Sequence, residues 1–129
     1  MTFDLWMLVG AILLGLVHVG GQSFSYKKQV GNAYTLGARD EEEPPRGIAG
    51  RYARALRNFL ETFSLFAAAI MLVHAADKLG ALSVTGSALY LAGRTAYLPL
   101  YVMGIRGWRT AAWQTATIGI VLVVAQIFF

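Results

Sequence analysis

The most constraining feature of this 129-residue chain is that its apolar residues come in long blocks. Hydrophobic residues make up 57% of the sequence, and a soluble domain of this size would leave much of that surface in water. The first block runs over residues 3–24 and has Asp4 as its only charge. A helix needs about 20 apolar residues to cross the hydrocarbon core of a bilayer. The blocks therefore predict an integral membrane protein.

Four such blocks use nearly the whole chain, so we expect one all-α domain over residues 1–129, a transmembrane four-helix bundle. The first two blocks are separated by a long polar stretch that holds an acidic run, Asp40–Glu43, and the pair Pro44-Pro45. Adjacent prolines cannot continue a helix, which predicts an extramembrane loop. The predicted spans are about 3–24, 48–76, 81–103 and 108–128, and the predicted cytoplasmic loop is about 25–47.

Positive charge is concentrated on the first and third of the three connections between spans. The turn after the second span carries only Lys78. The positive-inside rule therefore predicts that the first and third connections are cytoplasmic and that both termini are not. The net charge of +4 does not indicate a nucleic-acid partner, because the basic residues cluster at helix ends. With no eukaryotic retrieval signal, we expect a multi-pass protein of a bacterial inner membrane.

Several kinds of site are excluded or disfavoured by composition. The chain has no cysteine, which excludes disulfides, thiolate metal sites and a cysteine nucleophile. His18 and His74 lie far apart in apolar blocks, so we expect packing or interfacial roles and no metal site. A small-molecule transporter is disfavoured, because there is no internal inverted repeat and no pair of broken helices.

The cytoplasmic third of the second span carries a polar face. Arg54, Asn58 and Glu61 follow i, i+4, i+7 spacing and share one side of a helix, and Arg57 lies beside them. Charged residues at membrane depth are costly, so they usually pair with one another or line a site. Arginines nearer a span end, such as Arg51 and Arg106, are interpreted as residues that reach the lipid headgroups.

The third span carries a matching face, because Arg94, Tyr97 and Tyr101 follow i, i+3, i+7 spacing. Arg94 and Glu61 lie at comparable depth, and we expect a buried ion pair between them. Such a pair is compatible with a ligand site, and equally with a structural lock between two helices. Trp6, Trp108 and Trp113 are interpreted as interfacial belt residues.

The second and third spans together resemble a known family. Arg54-x-x-x-Asn58-x-x-Glu61 followed by Gly93-Arg94-x-x-Tyr97-x-x-x-Tyr101 is similar to the MAPEG family, the membrane-associated proteins of eicosanoid and glutathione metabolism. The resemblance covers the second to fourth spans and the hydropathy of the whole chain. It implies a homotrimer of four-helix bundles that binds glutathione between neighbouring subunits near the cytoplasmic side.

The resemblance also implies roles for particular residues. Arg109 and Thr110, with a one-residue gap, match the arginine and hydroxyl implicated in thiolate stabilisation, so they are the predicted catalytic pair. The glutathione-contacting positions, with Arg57 included beside them, are Arg54, Arg57, Asn58, Glu61, Arg94, Tyr97 and Tyr101.

The chemistry suits that ligand. Arginine forks bind carboxylates, of which glutathione has two, and nearby arginine charge favours a thiolate. The implied activity is that of a membrane-bound transferase or peroxidase-like enzyme in which this thiolate attacks a lipophilic electrophile from the bilayer. The alternative is a non-catalytic membrane protein whose Arg/Asn/Glu cluster is an interhelical lock or binds a lipid or amphiphile.

Overall fold

The computed structural model describes residues 1–129 as four long helices and one short helix, without strands. The all-α prediction is confirmed. The helices in chain order are α1 (Phe3–Val30), α2 (Asn32–Leu36), α3 (Gly47–Ala75), α4 (Ala81–Val102) and α5 (Trp108–Gln126).

The starts of the last three long helices lie at or next to the predicted positions, because strong local signals precede them. Pro44-Pro45 keeps the chain extended just before α3, whose N-cap Arg46 has extended backbone angles. Gly80 is the extended N-cap of α4, and Gly107, with φ of 77°, is the N-cap of α5. Positive φ is a conformation that glycine adopts at little cost.

The predicted extramembrane loop over residues 25–47 is partly helical. α1 continues to Val30, and α2 follows after Gly31, which has φ of 85°. The apolar pattern ends near Phe24, but helical hydrogen bonding does not, and Lys27 and Lys28 in the last turn complement the negative end of the helix dipole.

The rest of this loop is tied down by side chains of its helical parts. The Tyr34 hydroxyl donates to the Glu41 carbonyl over 2.7 Å, and the Tyr26 hydroxyl donates to the Glu43 carbonyl. Gln29 bonds to the backbone of Pro44 and Arg46 at 3.1 and 2.8 Å. The acidic run is therefore held in place by bonds to its backbone, while its side chains are exposed.

Most of the apolar surface faces outward. Only 22 of 129 residues are buried, and large apolar side chains such as Leu13, Leu16 and Leu65 are 57, 62 and 61% exposed. An exposed surface of this kind needs apolar surroundings, either lipid or other protein. By length and hydropathy, α1 and α3 are candidate membrane spans. The α4 and α5 helices are not among these candidates, so the count of four spans stays a prediction.

The closest approach in the bundle is between α4 and α5. A Cβ atom added at Gly86 would lie 2.4 Å from the Gly119 carbonyl oxygen, and one at Gly93 would lie 2.7 Å from the Ala112 carbonyl oxygen. The two backbones touch along this seam, as small residues allow in membrane bundles. Beside the seam, the rings of Phe66 and Tyr90 stack with centroids 4.0 Å apart and form the centre of the core.

The α1 helix packs on α3 through its glycines. Phe59 lies against Gly15, and Tyr52 lies against Gly21, where an added Cβ atom would be 3.0 and 2.3 Å from the respective rings. At the opposite end of the bundle Asp4 is buried, and it accepts a hydrogen bond of 3.2 Å from the Ser87 hydroxyl. Asp4, in the first turn of α1, therefore lies between α1 and α4.

A side chain from the end of α5 caps the start of α4. Gly80, the N-cap residue, has no side chain to accept from the free N–H groups of the first turn. The Gln126 carbonyl oxygen accepts instead from the backbone N–H groups of Leu82 and Ser83 at 3.0 and 3.4 Å. Gly80 makes room for this arrangement, since a Cβ atom there would lie 2.6 Å from Gln126.

We expect Gly86→Ala to lower the free energy of unfolding by about 1–3 kcal/mol, because the new methyl group meets the backbone of Gly119, which cannot move aside alone. Gly20→Ala is the matched control, since nothing lies within 4 Å of its added Cβ atom. Thermal unfolding in detergent, followed by circular dichroism, measures both. Equal midpoints for the two variants would contradict the packing described for the seam.

We expect Gln126→Ala to cost about 1 kcal/mol of stability, the usual effect of losing a helix cap. Gln126→Glu should restore or exceed the original stability, because a carboxylate is favourable at a helix N-terminus. The same unfolding measurement applies. If Gln126→Glu is as unstable as Gln126→Ala, the cap does not contribute as described.

Candidate functional site

Two adjoining open clefts lie where α3, α4 and α5 meet, and Asn58 and Tyr97 line both of them. Every residue predicted for the site except Arg94 lines one of the two. The larger cleft, of about 240 Å³, is lined by Arg54, Arg57, Asn58, Glu61, Tyr97 and Tyr101. The smaller cleft, of about 150 Å³, is lined by Asn58, Tyr97, Arg109, Thr110 and Trp113.

Arg94 lies behind the shared wall of the clefts and is completely buried. Its Nη1 donates to the Asn58 carbonyl oxygen over 2.7 Å. Its Cζ lies 4.3 Å from the ring centre of Tyr97 and 5.4 Å from that of Phe59. Aromatic faces attract a cation, which offsets part of the cost of burying the guanidinium.

The expected ion pair between Arg94 and Glu61 is wrong. Arg94 Nε and Nη2 are buried without any partner, and its one hydrogen bond goes to Asn58. Glu61 is exposed and lines the larger cleft. Asn58 lies about one helical turn before Glu61, a displacement of about 5 Å along the axis. An amide is also cheaper to bury than a carboxylate.

Phe59 connects this site to α1. The His18 ring stacks on Phe59 with centroids 4.5 Å apart, and Nδ1 of His18 donates to the Leu14 carbonyl over 2.8 Å. His18 is fully buried, and its Nε2 has no partner. The packing role expected of this histidine agrees with the stacked geometry.

Tyr101 positions arginines from two other helices. Its hydroxyl accepts from Arg54 Nε at 3.1 Å, and its ring lies 5.0 Å from Cζ of Arg109. The Tyr97 and Tyr101 rings are 5.5 Å apart, so the two tyrosines form one continuous aromatic surface beneath the arginines.

The electrostatic character of the site follows from its charges. Arg54, Arg57 and Arg109 line the clefts, and Glu61 is the one carboxylate among the lining residues. An excess of guanidinium groups suits an anion, since each presents planar forks of N–H donors. Glu61 adds a place for a cationic group on the same ligand.

Two neighbouring residues have roles that the sequence analysis did not assign. Trp113 lines the smaller cleft, and its helical spacing from Arg109 and Thr110 was a signal that could have revealed it. Arg51 donates to the Val102 carbonyl over 2.8 Å and thereby caps the C-terminal end of α4, so it contacts protein as well as any headgroup nearby.

Comparison with known proteins adds one match. A sequence model of the MAPEG family matches residues 3–129. No curated protein and no solved structure matches the chain. The match covers all four long helices and therefore both clefts.

We expect Asn58→Ala to lower the free energy of unfolding by about 1.5–3 kcal/mol, because it leaves the buried guanidinium of Arg94 without a hydrogen bond. Arg57→Ala, one residue away and exposed, should change it by less than about 0.5 kcal/mol. Chemical denaturation in mixed micelles compares the two. Equal losses would show that the Arg94–Asn58 contact does not stabilise the fold.

Proposed function

The chain belongs to the MAPEG family, and from this premise we propose that it is a membrane-bound glutathione-dependent transferase or peroxidase-like enzyme acting on lipophilic electrophiles. The observation that carries the proposal is the pair of adjoining clefts. One is lined by arginines together with Glu61, and the other by Arg109 and Thr110.

The larger cleft complements the charges of glutathione. Glutathione has two carboxylates and one ammonium group, and the cleft offers Arg54 and Arg57 for the former and Glu61 for the latter. Tyr101 holds Arg54 by its Nε, which leaves the Nη atoms of Arg54 available to a carboxylate. Binding of the carboxylates and the ammonium by fixed groups would direct the cysteine part of the ligand toward the smaller cleft.

The smaller cleft would then receive the thiol. A free thiol has a pKa of about 8.5 and is mostly protonated at neutral pH. The Arg109 guanidinium favours the thiolate, and the Thr110 hydroxyl can donate to it. The thiolate sulfur attacks an electrophilic carbon of the second substrate and forms the new C–S bond, and the electron pair leaves with the displaced group. Trp113 supplies an apolar wall for such a substrate.

The membrane arrangement belongs to the same proposal. We infer four transmembrane helices, a cytoplasmic connection between α1 and α3, both termini on the other side, and a bacterial inner membrane as the location. The exposed apolar side chains support burial in lipid. Both clefts are open at the surface of the single chain, which supports a homotrimer in which neighbouring copies cover them.

A second candidate function rests on the Arg94–Asn58 contact. This hydrogen bond joins α3 to α4 inside the bundle, as an interhelical lock would. In that case the cluster stabilises a non-catalytic membrane protein, and the arginine-lined clefts take a lipid or amphiphile headgroup. Glutathione binding separates the two functions.

We expect the detergent-solubilised protein to bind glutathione in calorimetric titration and to increase its thiolate ultraviolet absorbance. Arg54→Ala should weaken binding about 10–100-fold, since it removes a charge-assisted hydrogen bond. Arg109→Ala should leave binding largely intact and abolish the thiolate signal at neutral pH.

Arg106→Ala is the matched control, because Arg106 is exposed and lines neither cleft. It should behave as the unmodified protein in both measurements. Absence of binding at millimolar glutathione would overturn the enzyme proposal and favour the lock. A loss of affinity in Arg106→Ala equal to that in Arg54→Ala would contradict the assignment of Arg54 to the binding cleft.

A further inference from the structure

The two ends of the Asn58 amide have different environments. Its carbonyl oxygen accepts from Nη1 of Arg94 over 2.7 Å. Arginine has donors only, so the group that faces Arg94 must be the oxygen and cannot be the NH₂ group. The hydrogen bond therefore fixes the orientation of the amide.

The NH₂ end of Asn58 is left as a free donor in the wall between the clefts. Asn58 is half-buried and lines both clefts, and Nδ2 makes no hydrogen bond within the chain. The buried polar atoms without partners are His18 Nε2 and Arg94 Nε and Nη2, so Nδ2 of Asn58 is accessible. A ligand that reaches this wall meets an N–H donor.

Arg94 itself does not reach the ligand. It is 0% exposed and lines neither cleft, and its guanidinium is held against the faces of Tyr97 and Phe59. It can act on a ligand through the cleft residues that it contacts, and of these Asn58 is the one to which it forms a hydrogen bond.

We propose that Arg94 is a positioning residue that fixes which end of the Asn58 amide faces the ligand. Asn58 then presents its NH₂ group to a carboxylate of the ligand. A ligand group that is itself a hydrogen-bond donor is disfavoured at that point. This inference rests on the proposed function and deepens it, since it says which group of the protein recognises one carboxylate of glutathione. It also gives Arg94 an indirect role in place of the direct contact that the family resemblance implied.

The test compares glutathione with its two monoamides, in which one or the other carboxylate is replaced by a carboxamide. The measured quantity is the ratio of Kd for amide to Kd for acid. In the unmodified protein we expect the acid to bind at least about tenfold more tightly than one of the amides. Asn58→Asp keeps an oxygen facing Arg94 and replaces the donor by an acceptor, so that ratio should fall by about tenfold or more.

Two variants of similar size at position 94 test the positioning role. Arg94→Met removes the donor and lets the amide of Asn58 rotate, so the preference for the acid should collapse although Asn58 remains. Arg94 uses a single N–H donor for its hydrogen bond to the Asn58 oxygen, and Arg94→Lys retains such a donor. This variant should therefore keep the preference for the acid over the amide. Each ratio is measured at low and high salt, because screening weakens long-range charge effects more than direct contacts.

The outcomes are distinct. If the unmodified protein binds neither glutathione nor its amides, the proposed function fails, and this inference fails with it. If glutathione binds but Asn58→Asp weakens acid and amides equally, the proposed function stands and the assigned polarity is wrong. An equal preference in Arg94→Met and Arg94→Lys overturns the positioning role. Should Arg94→Met fail to fold, Asn58→Asp still tests the donor at position 58, since its carboxylate pairs with Arg94 and favours folding. Loss of the acid preference in Arg94→Lys, which keeps a donor for the Asn58 oxygen, would then overturn the positioning role.

Discussion

A guanidinium buried among helices must find its partners within the protein, because neither water nor lipid reaches it. Arg94 meets this constraint in part, with one hydrogen bond to Asn58 and contacts with the rings of Tyr97 and Phe59, while Nε and Nη2 have no partner. Each of these partners is thereby held in a definite place. Since Asn58 and Tyr97 form the wall shared by both clefts, the shape of the candidate site depends on how this single cation is accommodated.

The residue before Arg94 links this constraint to the rest of the bundle. Successive residues of a helix point about 100° apart, so Gly93 faces α5 while Arg94 faces α3. Close approach at Gly93 brings Ala112 of α5 against α4, and Arg109 lies one turn earlier on the same helix. The seam of small residues and the polar site are thus two sides of α4, and a change in the seam would also move the smaller cleft.

The sequence was sufficient to predict the all-α class, most helix boundaries and all the residues that line the clefts except Trp113. Periodicity identifies a helix face, and the i, i+4, i+7 spacing of Arg54, Asn58 and Glu61 did so correctly. Periodicity does not give the axial offset between two helices. Glu61 was predicted as the partner of Arg94, and the actual partner, Asn58, lies about one turn earlier on α3.

Other features depended on contacts that no local pattern contains. The apolar block ends near Phe24 but α1 continues to Val30, because a helix requires hydrogen bonds and not apolar side chains. Trp113 has the same sequence character whether it faces headgroups or a cleft, and only the position of α5 decides between them. The roles assigned to the cleft residues in binding and catalysis stay predictions.

The cap that Gln126 provides has a consequence for how the chain is assembled. The ribosome makes α4 before α5, so the N–H groups of Leu82 and Ser83 lack this acceptor until residue 126 has been synthesised and α5 has folded back. Unsatisfied backbone groups are especially costly in an apolar medium. The start of α4 is therefore capped only once α5 has packed against it, just as the end of α4 at Val102 is capped only by Arg51 of α3.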